Sequence, residues 1–327
     1  MRKRVFSGAR PTGRQHIGNY LGAIQNYVEL QKDYDCIYCI VDVHALTTLQ
    51  GKEGVSALQQ NIREMALDWL AAGIDPQKSV IFVQSHVPQV MELHTMLSMA
   101  TPLQWLMRVP TFKEKIKMQP ENVNYGLLGY PVLMTADIIL YKAEVVPVGE
   151  DQLAHLELAR EIVRRFNYLY GDTFPEPEAK LTRVPLILGL DGVQKMSKQL
   201  NNDIELAASP EETTKRIMTA FTDPARKFRS DPGHPEVCNV YSLHRAFHSA
   251  RLEHIESECR SAAIGCVDCK RLLAQEINDA LAPFRQRRSE LAERPDYVRE
   301  VLVEGASRIR GIAQETIREV KHNMGLL

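Results

Sequence analysis

Two short runs of this 327-residue chain combine residue types suited to phosphate chemistry. The first is Phe6-Ser7-Gly8-Ala9-Arg10-Pro11-Thr12-Gly13, followed by His16-Ile17-Gly18-Asn19. Glycines let a ligand approach the backbone, and a helix start offers unpaired N–H groups and positive potential to a phosphate. His16 could donate a hydrogen bond to a phosphate or ring oxygen. Such a turn also serves as a plain strand-to-helix connection. The second run is Lys195-Met196-Ser197-Lys198, after Gly189-Leu190-Asp191-Gly192. Two lysines three apart around a small hydroxyl form a compact, mobile cationic clamp. It suits the charge that builds on a triphosphate as pyrophosphate leaves. Taken alone, the tetrapeptide reads more readily as a solvated loop with two surface lysines.

A third constellation is Cys238, Cys259, Cys266 and Cys269, spaced C-x20-C-x6-C-x2-C. Gly265 precedes a turn that lets the thiolates of Cys266 and Cys269 face one centre. Four thiolates suit Zn²⁺ or an iron–sulfur cluster, and His234, His244, His248 or His254 could replace one of them. Cys36 and Cys39 also form a C-x2-C, but on an expected strand. Side chains three apart there point to opposite faces, so both read as core.

These residues need elements to hold them. Strands are expected at Arg4–Ser7, Cys36–Val43, Ser79–Gln84 and Glu144–Val148. Helices are expected at Gly18–Gln31, Val55–Ala72, Pro131–Tyr141 and Gln152–Phe166. That alternation predicts an α/β fold, a Rossmann-like doubly wound parallel sheet. Residues 173–200, rich in Pro and Gly, read as loop. From Ser209 the pattern is helical, with Ser209 as cap and Pro210 at the first position. Val298, Val301, Leu302, Ile309, Ile312, Ala313, Ile317 and Val320 make an apolar stripe on the last helix. The expected division is a catalytic domain over 1–205 and an all-helical domain over 206–327, consistent with room for about two domains.

Composition narrows the classes. The chain has 40 Lys+Arg against 41 Asp+Glu, so it is not a globally basic nucleic-acid binder, and any such contact needs a local basic face. Apolar residues make up 44% and charged residues 25%, which excludes wholesale disorder. No stretch approaches the ~20 apolar residues of a membrane helix. Met1-Arg2-Lys3-Arg4 leads into a run too short for a signal-peptide core, so a cytoplasmic location is expected.

Together, the His16-Ile17-Gly18-Asn19 and Lys195-Met196-Ser197-Lys198 runs resemble the paired HIGH and KMSKS signatures of class I aminoacyl-tRNA synthetases. Gly149-Glu150-Asp151-Gln152 is similar to the Gly-x-Asp-Gln element of their tryptophan and tyrosine branch. Residues 39–47 (CIVDVHALT), 73–76 (GIDP) and 130–138 (YPVLMTADI) resemble tryptophanyl-tRNA synthetases in particular. The motifs occur in the family's order over nearly the whole chain.

The resemblance implies adenylation of tryptophan by ATP with Mg²⁺, then transfer to tRNA(Trp). It places Arg10, Thr12, His16, Gly18, Asn19, Gly149, Asp151 and the Lys195–Lys198 run around ATP. It places Phe6, His44, Tyr130, Met134, Asp137 and Gln152 around tryptophan, with Asp137 accepting the indole N–H and Gln152 touching the amino group. A helix-face carboxylate in an ion pair is the plainer reading of Asp137. Lys115 matches a lysine directed at the ATP phosphates, though a solvated helix charge explains it equally. The chain departs from the pattern at Gln199, where the last KMSKS serine is missing, and at Arg10, where many members carry Gln. A fixed cation at Arg10 could strengthen ATP or carboxylate binding and alter sensitivity to tryptophan-like inhibitors.

The late cysteines, with Ile264-Gly265-Cys266-Val267-Asp268-Cys269-Lys270, resemble a subset of the family that carries a 4Fe–4S cluster in the anticodon-binding domain, with Zn²⁺ the alternative. Lys270, Arg271, Arg285, Arg287, Arg288 and Arg294 follow, mixed with acidic residues. The family also implies a homodimer. Two other readings compete: a nucleotidylyltransferase on the same sheet, which would not need the helical domain or Asp137, and a non-catalytic or regulatory paralogue.

Overall fold

Strands Arg4–Ala9 (β1), Asp35–Ile40 (β2) and Ser79–Val83 (β3) are built from near-continuous apolar runs, and almost every residue in β2 and β3 is buried. Runs of that kind suit strands covered on both faces, as in parallel sheets. The computed structural model describes residues 2–118, 120–181 and 187–327, apart from the side chains of Thr111, Glu114, Lys115 and Met118. With Val145–Val148 (β4) and Glu178–Leu181 (β5), these strands form one sheet in the order β3-β2-β1-β4-β5. Every pairing is parallel, with Phe6 opposite Ile37, Ile37 opposite Val80, and Val5 opposite Val145. The chain winds outward from β1 to β3, then returns to the other side of β1 for β4 and β5. That reversal puts a crevice beyond the carboxyl ends of β1 and β4, where sheets of this kind take ligands.

The expected doubly wound sheet is present, with shifted boundaries. β1 runs two residues further than expected, to Ala9. β2 stops at Ile40 because Asp42–Ala45 starts a short helix. β5 lies within the segment read as loop.

The described residues form two compact units, neither continuous in sequence. The first comprises residues 1–13, 28–182 and 294–327. It holds the sheet and the helices Leu58–Ala72, Gln89–Ala100, Tyr125–Ile139 and Leu153–Tyr170. The last helix, Pro295–Asn323, belongs here and not with the preceding helices. Its apolar stripe joins the core formed by Phe6, Phe82, Ile139 and Phe166. Arg308 donates to the Pro76 carbonyl, Arg310 to that of His86, and Lys321 pairs with Glu92. Gly305 makes the approach possible: a Cβ there would stand 2.0 Å from the Ile81 carbonyl oxygen on β3.

The second unit comprises residues 14–27 and 183–293 and is built around helices Pro210–Met218, Asn239–Ala246, Leu252–Arg260 and Cys266–Ala292. Ser209 caps the first of these as expected, accepting from the Glu212 N–H with Pro210 in the first turn. Among the described residues no helix is long and apolar enough to cross a membrane.

Candidate active site

In the first unit, the residues expected around an amino acid lie on β1, the Asp42–Ala45 helix, the Tyr125–Ile139 helix and, for Gln152, the turn after β4. The Tyr125–Ile139 helix starts at Asn124, whose side chain accepts from the Leu127 N–H at 3.0 Å. Tyr130, Met134 and Asp137 follow at steps of four and three, which places them along one face. Tyr130 is buried and its hydroxyl lies 2.8 Å from His155 Nε2. The His44 ring meets Tyr130 edge-on, with centroids 5.6 Å apart. Met134 packs against the apolar core. Phe6 is buried on β1, stacked on Tyr141 at 5.8 Å.

Asp137 is 2% exposed. It is not the ion-paired surface carboxylate of the plainer reading. Its two oxygens each accept from Gln84 Nε2 at 2.8 Å. Burial pushes its pKa up to about 8; the Gln84 hydrogen bonds lower it and the nearby Asp42 carboxylate raises it. A buried acidic group with so few partners is costly unless it has work to do. Gln84 was not singled out by the sequence. It closes an apolar strand and carries no motif, and only the meeting of two segments 53 residues apart reveals it.

The first-unit residues expected near the nucleotide sit on the loops after β1 and β4. The exposed Arg10 reaches Thr48 Oγ1 at 3.5 Å, and the Thr12 N–H donates to the Arg10 carbonyl at 2.9 Å. Gly149 precedes the turn Glu150–Gln152, in which Gln152 Nε2 donates to Asp151 at 3.0 Å. The side chain of Lys115 lies outside the described residues.

The second unit brings the other two signatures together. His16 caps the turn Ile17–Asn19: its Nδ1 accepts from the Asn19 N–H at 3.3 Å, while Asn19 Oδ1 accepts from the His16 N–H at 3.1 Å. An accepting Nδ1 leaves the proton on Nε2, free to donate. Burial lowers the His16 pKa; Asp203 opposes that and Lys195 adds to it, so the ring is held neutral. A Cβ on Gly18 would stand 3.3 Å from Met196 Cβ, so the two runs are neighbours. Met196 is buried, with its N–H bonded to the Ile187 carbonyl at 3.0 Å, and Lys195 and Lys198 are exposed. Lys198 Nζ rests 3.8 Å from Glu205.

The lysine loop, expected to be mobile, is braced by a residue the sequence did not flag. Asn202 is buried, and its Oδ1 accepts from the Ser197 N–H at 2.7 Å. Its Nδ2 donates to Asp191 at 2.5 Å and to the Lys195 carbonyl at 3.4 Å. Gly189 gives the amide room, since a Cβ there would lie 2.1 Å from it.

Cys238 and Cys269 are buried, while Cys259 and Cys266 are half-buried. Cys266 opens a helix after Gly265, and Cys269 follows one turn later. Burial pushes the Cys269 thiol up to about 12, and the Cys238, Cys259 and Cys266 thiols push the same way. His244 Nε2 lies 3.6 Å from Cys269 Sγ, and its Nδ1 lies 2.6 Å from Glu276. His234 and His254 pair instead with Asp223 and Glu258. Among the described residues, no three His, Cys, Asp or Glu side chains are set to hold a metal ion. Cys36 and Cys39 are fully buried core residues, as expected. Of the downstream cations, Lys270 donates to the Met218 carbonyl and Arg285 to Asn278 and Thr213, so both serve the unit's own packing.

The chain is similar to known proteins over almost its whole length. The family model for class I tRNA synthetases (W and Y) matches residues 1–282. The tryptophan–tRNA ligase of Thermotoga maritima is 48% identical over 329 residues, covering 99% of both chains. That of Deinococcus radiodurans is 46% identical over 328 residues, again covering 99% of both. The Campylobacter jejuni tryptophanyl-tRNA synthetase, solved with ADP and tryptophan, superposes with a TM-score of 0.88 at 36% identity, over 99% of this chain and 100% of that one. A tyrosyl-tRNA synthetase from Aeropyrum pernix shares the fold, with a TM-score of 0.69 at 19% identity, over 95% of this chain and 90% of that one. The chain belongs to the class I tRNA synthetases of the tryptophan and tyrosine branch.

Proposed function

We propose that the chain is a tryptophan–tRNA ligase. The observation that carries the choice of amino acid is Asp137, a buried acceptor on the helix that also presents Tyr130 and Met134. An indole N–H needs such an acceptor once it leaves water. Met134 offers an apolar, polarisable side chain to the ring.

In the first step a carboxylate oxygen of tryptophan attacks the α-phosphorus of ATP. The bond from that phosphorus to the β-phosphate bridging oxygen breaks, giving tryptophanyl-adenylate and pyrophosphate. No protein nucleophile is required, so catalysis rests on positioning and charge. Lys195 and Lys198 neutralise the leaving pyrophosphate, and His16 Nε2–H donates to the nucleotide. By the family's pattern, Arg10, Thr12, Gly149 and Asp151 of the first unit and Gly18 and Asn19 of the second are the nucleotide-binding residues. Mg²⁺ bound with ATP would shield part of its phosphate charge. Gln152 holds the substrate amino group; Phe6 and His44 flank the ring. In the second step a terminal ribose hydroxyl of tRNA(Trp) attacks the adenylate carbonyl, loses its proton and releases AMP.

The four-cysteine group is assigned to a 4Fe–4S cluster, with Zn²⁺ and His244 as the alternative donor arrangement. The support is the donor set: four thiols on one unit, with the Cys259 and Cys269 thiols pushed up by burial and, further, by the neighbouring thiols. A cluster there would cross-link Cys238 and Cys259 to the start of the Cys266–Ala292 helix. Anaerobic purification should give brown protein with iron and sulfide in equal amounts, and Cys269→Ser should remove the colour. Zinc by elemental analysis would select the alternative. Met99, Leu103, Met107 and Tyr125 are large, exposed and apolar on neighbouring elements of the first unit. They support a homodimer, checked by light scattering. The cytoplasm, with the translation machinery, is the assigned location.

The deciding experiment is amino-acid-dependent ATP–pyrophosphate exchange with tryptophan, tyrosine and phenylalanine. Exchange with tryptophan alone is expected. Exchange with tyrosine would overturn the specificity, and none with any of them would favour a regulatory paralogue.

A further inference from the structure

Gln84 follows β3 directly and is 1% exposed. Its amide is gripped at both ends. The His44 N–H lies in the first turn of the Asp42–Ala45 helix, where backbone donors lack helical partners, and it donates to Gln84 Oε1 at 3.0 Å. A backbone N–H can only donate, so Oε1 is fixed toward it and Nε2 must face the other way. There Nε2 stands 2.8 Å from both Asp137 oxygens.

We propose that Gln84 is a positioning residue that orients the Asp137 carboxylate as an acceptor, so that the pocket takes a ring bearing an N–H and rejects a ring of the same shape without one. The inference rests on the reading of Asp137 as the indole acceptor and adds what holds it in that role. The polarity is relayed in one direction: the His44 N–H fixes the Gln84 oxygen, the Gln84 amide donates to Asp137, and Asp137 is left to accept. The groups facing Asp137 explain why a relay is needed. Asp42, on the short helix after β2, opposes its ionisation. Cys39 on β2 and Tyr141 beyond the helix are neutral neighbours whose own ionisation Asp137 disfavours. Asp42 is held in place by the Ser85 N–H and hydroxyl at 3.0 and 2.6 Å. The Gln84 amide is the partner that favours the charged, accepting form. Without it the carboxyl keeps its proton to higher pH, and one oxygen becomes a donor.

The test uses the full chain in ATP–pyrophosphate exchange with tryptophan and with its benzothiophene isostere, in which sulfur replaces the ring N–H. Gln84→Met keeps the length and removes the hydrogen bonds. It is expected to raise the tryptophan KM about tenfold or more, leave the isostere's KM nearly unchanged, and leave the ATP KM unchanged. The pH at which the tryptophan KM begins to fall should move upward. If both amino acids weaken together with no shift in the pH profile, Gln84 is only a brace and the inference is overturned. Asp137→Leu, which removes both acceptor oxygens, separates the layers: if it preserves discrimination between the two substrates, the reading of Asp137 itself has failed. Should Gln84→Met not fold, Gln84→Glu keeps the acceptor for the His44 N–H and sets two carboxyl groups against each other. Its discrimination should then fall steeply as their shared proton is lost, and a profile like that of the unaltered enzyme would overturn the inference.

Discussion

Burial of Asp137 costs the free protein something that substrate binding repays. The carboxyl titrates near 8, and its ionised form is the better acceptor. Tryptophan affinity should therefore rise as pH increases through about 8 and level off about one pH unit higher, measurable as the tryptophan KM or by calorimetry. Stability should move the opposite way. Between the ordinary carboxylate range and about 8, the folded chain holds a proton that the unfolded chain has released. Its unfolding free energy therefore falls as pH rises through that window. Asp137→Asn should remove this slope in urea titrations while weakening tryptophan binding about a hundredfold or more. Arg10→Gln should change the inhibition constant of a tryptophan-like inhibitor more than kcat; equal inhibition of both forms would refute this. Tyr130, Met134 and Asp137 were legible because helical spacing and a recognisable run place them together. Gln84 was not, because a glutamine ending the run SVIFVQ looks like any strand end until its partner is in place.

The lysine loop carries the same lesson for elements. Its two cations were legible from type and spacing, and its stiffness was not, because that comes from Asn202 turning back on backbone atoms of Lys195 and Ser197. Asn202→Ala should lower the rate of adenylate formation by about 10- to 100-fold with little change in tryptophan KM, read by single-turnover kinetics. The Ser209 cap was legible in full because its signature is local; Ser209→Ala should cost about 1 kcal/mol in denaturant unfolding. The strand at Glu178–Leu181 was missed for the converse reason. It is a short edge strand with largely exposed side chains, so burial imposes no alternation on it.

For the whole molecule, the doubly wound sheet was readable from its alternation of elements, but the grouping of the chain into units was not. The apolar stripe on the last helix announces that it packs, yet nothing in a stripe names its partner. A boundary near residue 205 assigned that helix to the second domain, whereas residues 294–327 complete the first unit. Gly305 is where that attachment is most exposed to a single change. Gly305→Ala should destabilise the chain by roughly 1–3 kcal/mol, since a methyl must displace the β3 backbone or lift the helix. Guanidinium unfolding would show it, and exchange kinetics at Lys195 and Lys198 need not change at saturating substrate. There is also a consequence in time. A ribosome making this chain finishes the sheet early, then spends on the order of ten seconds on residues 183–293 before the covering helix emerges. Through that interval the nascent β3 face is bare, so a transcript cut short within the second unit would yield a client for chaperones and proteases and not a half-working enzyme.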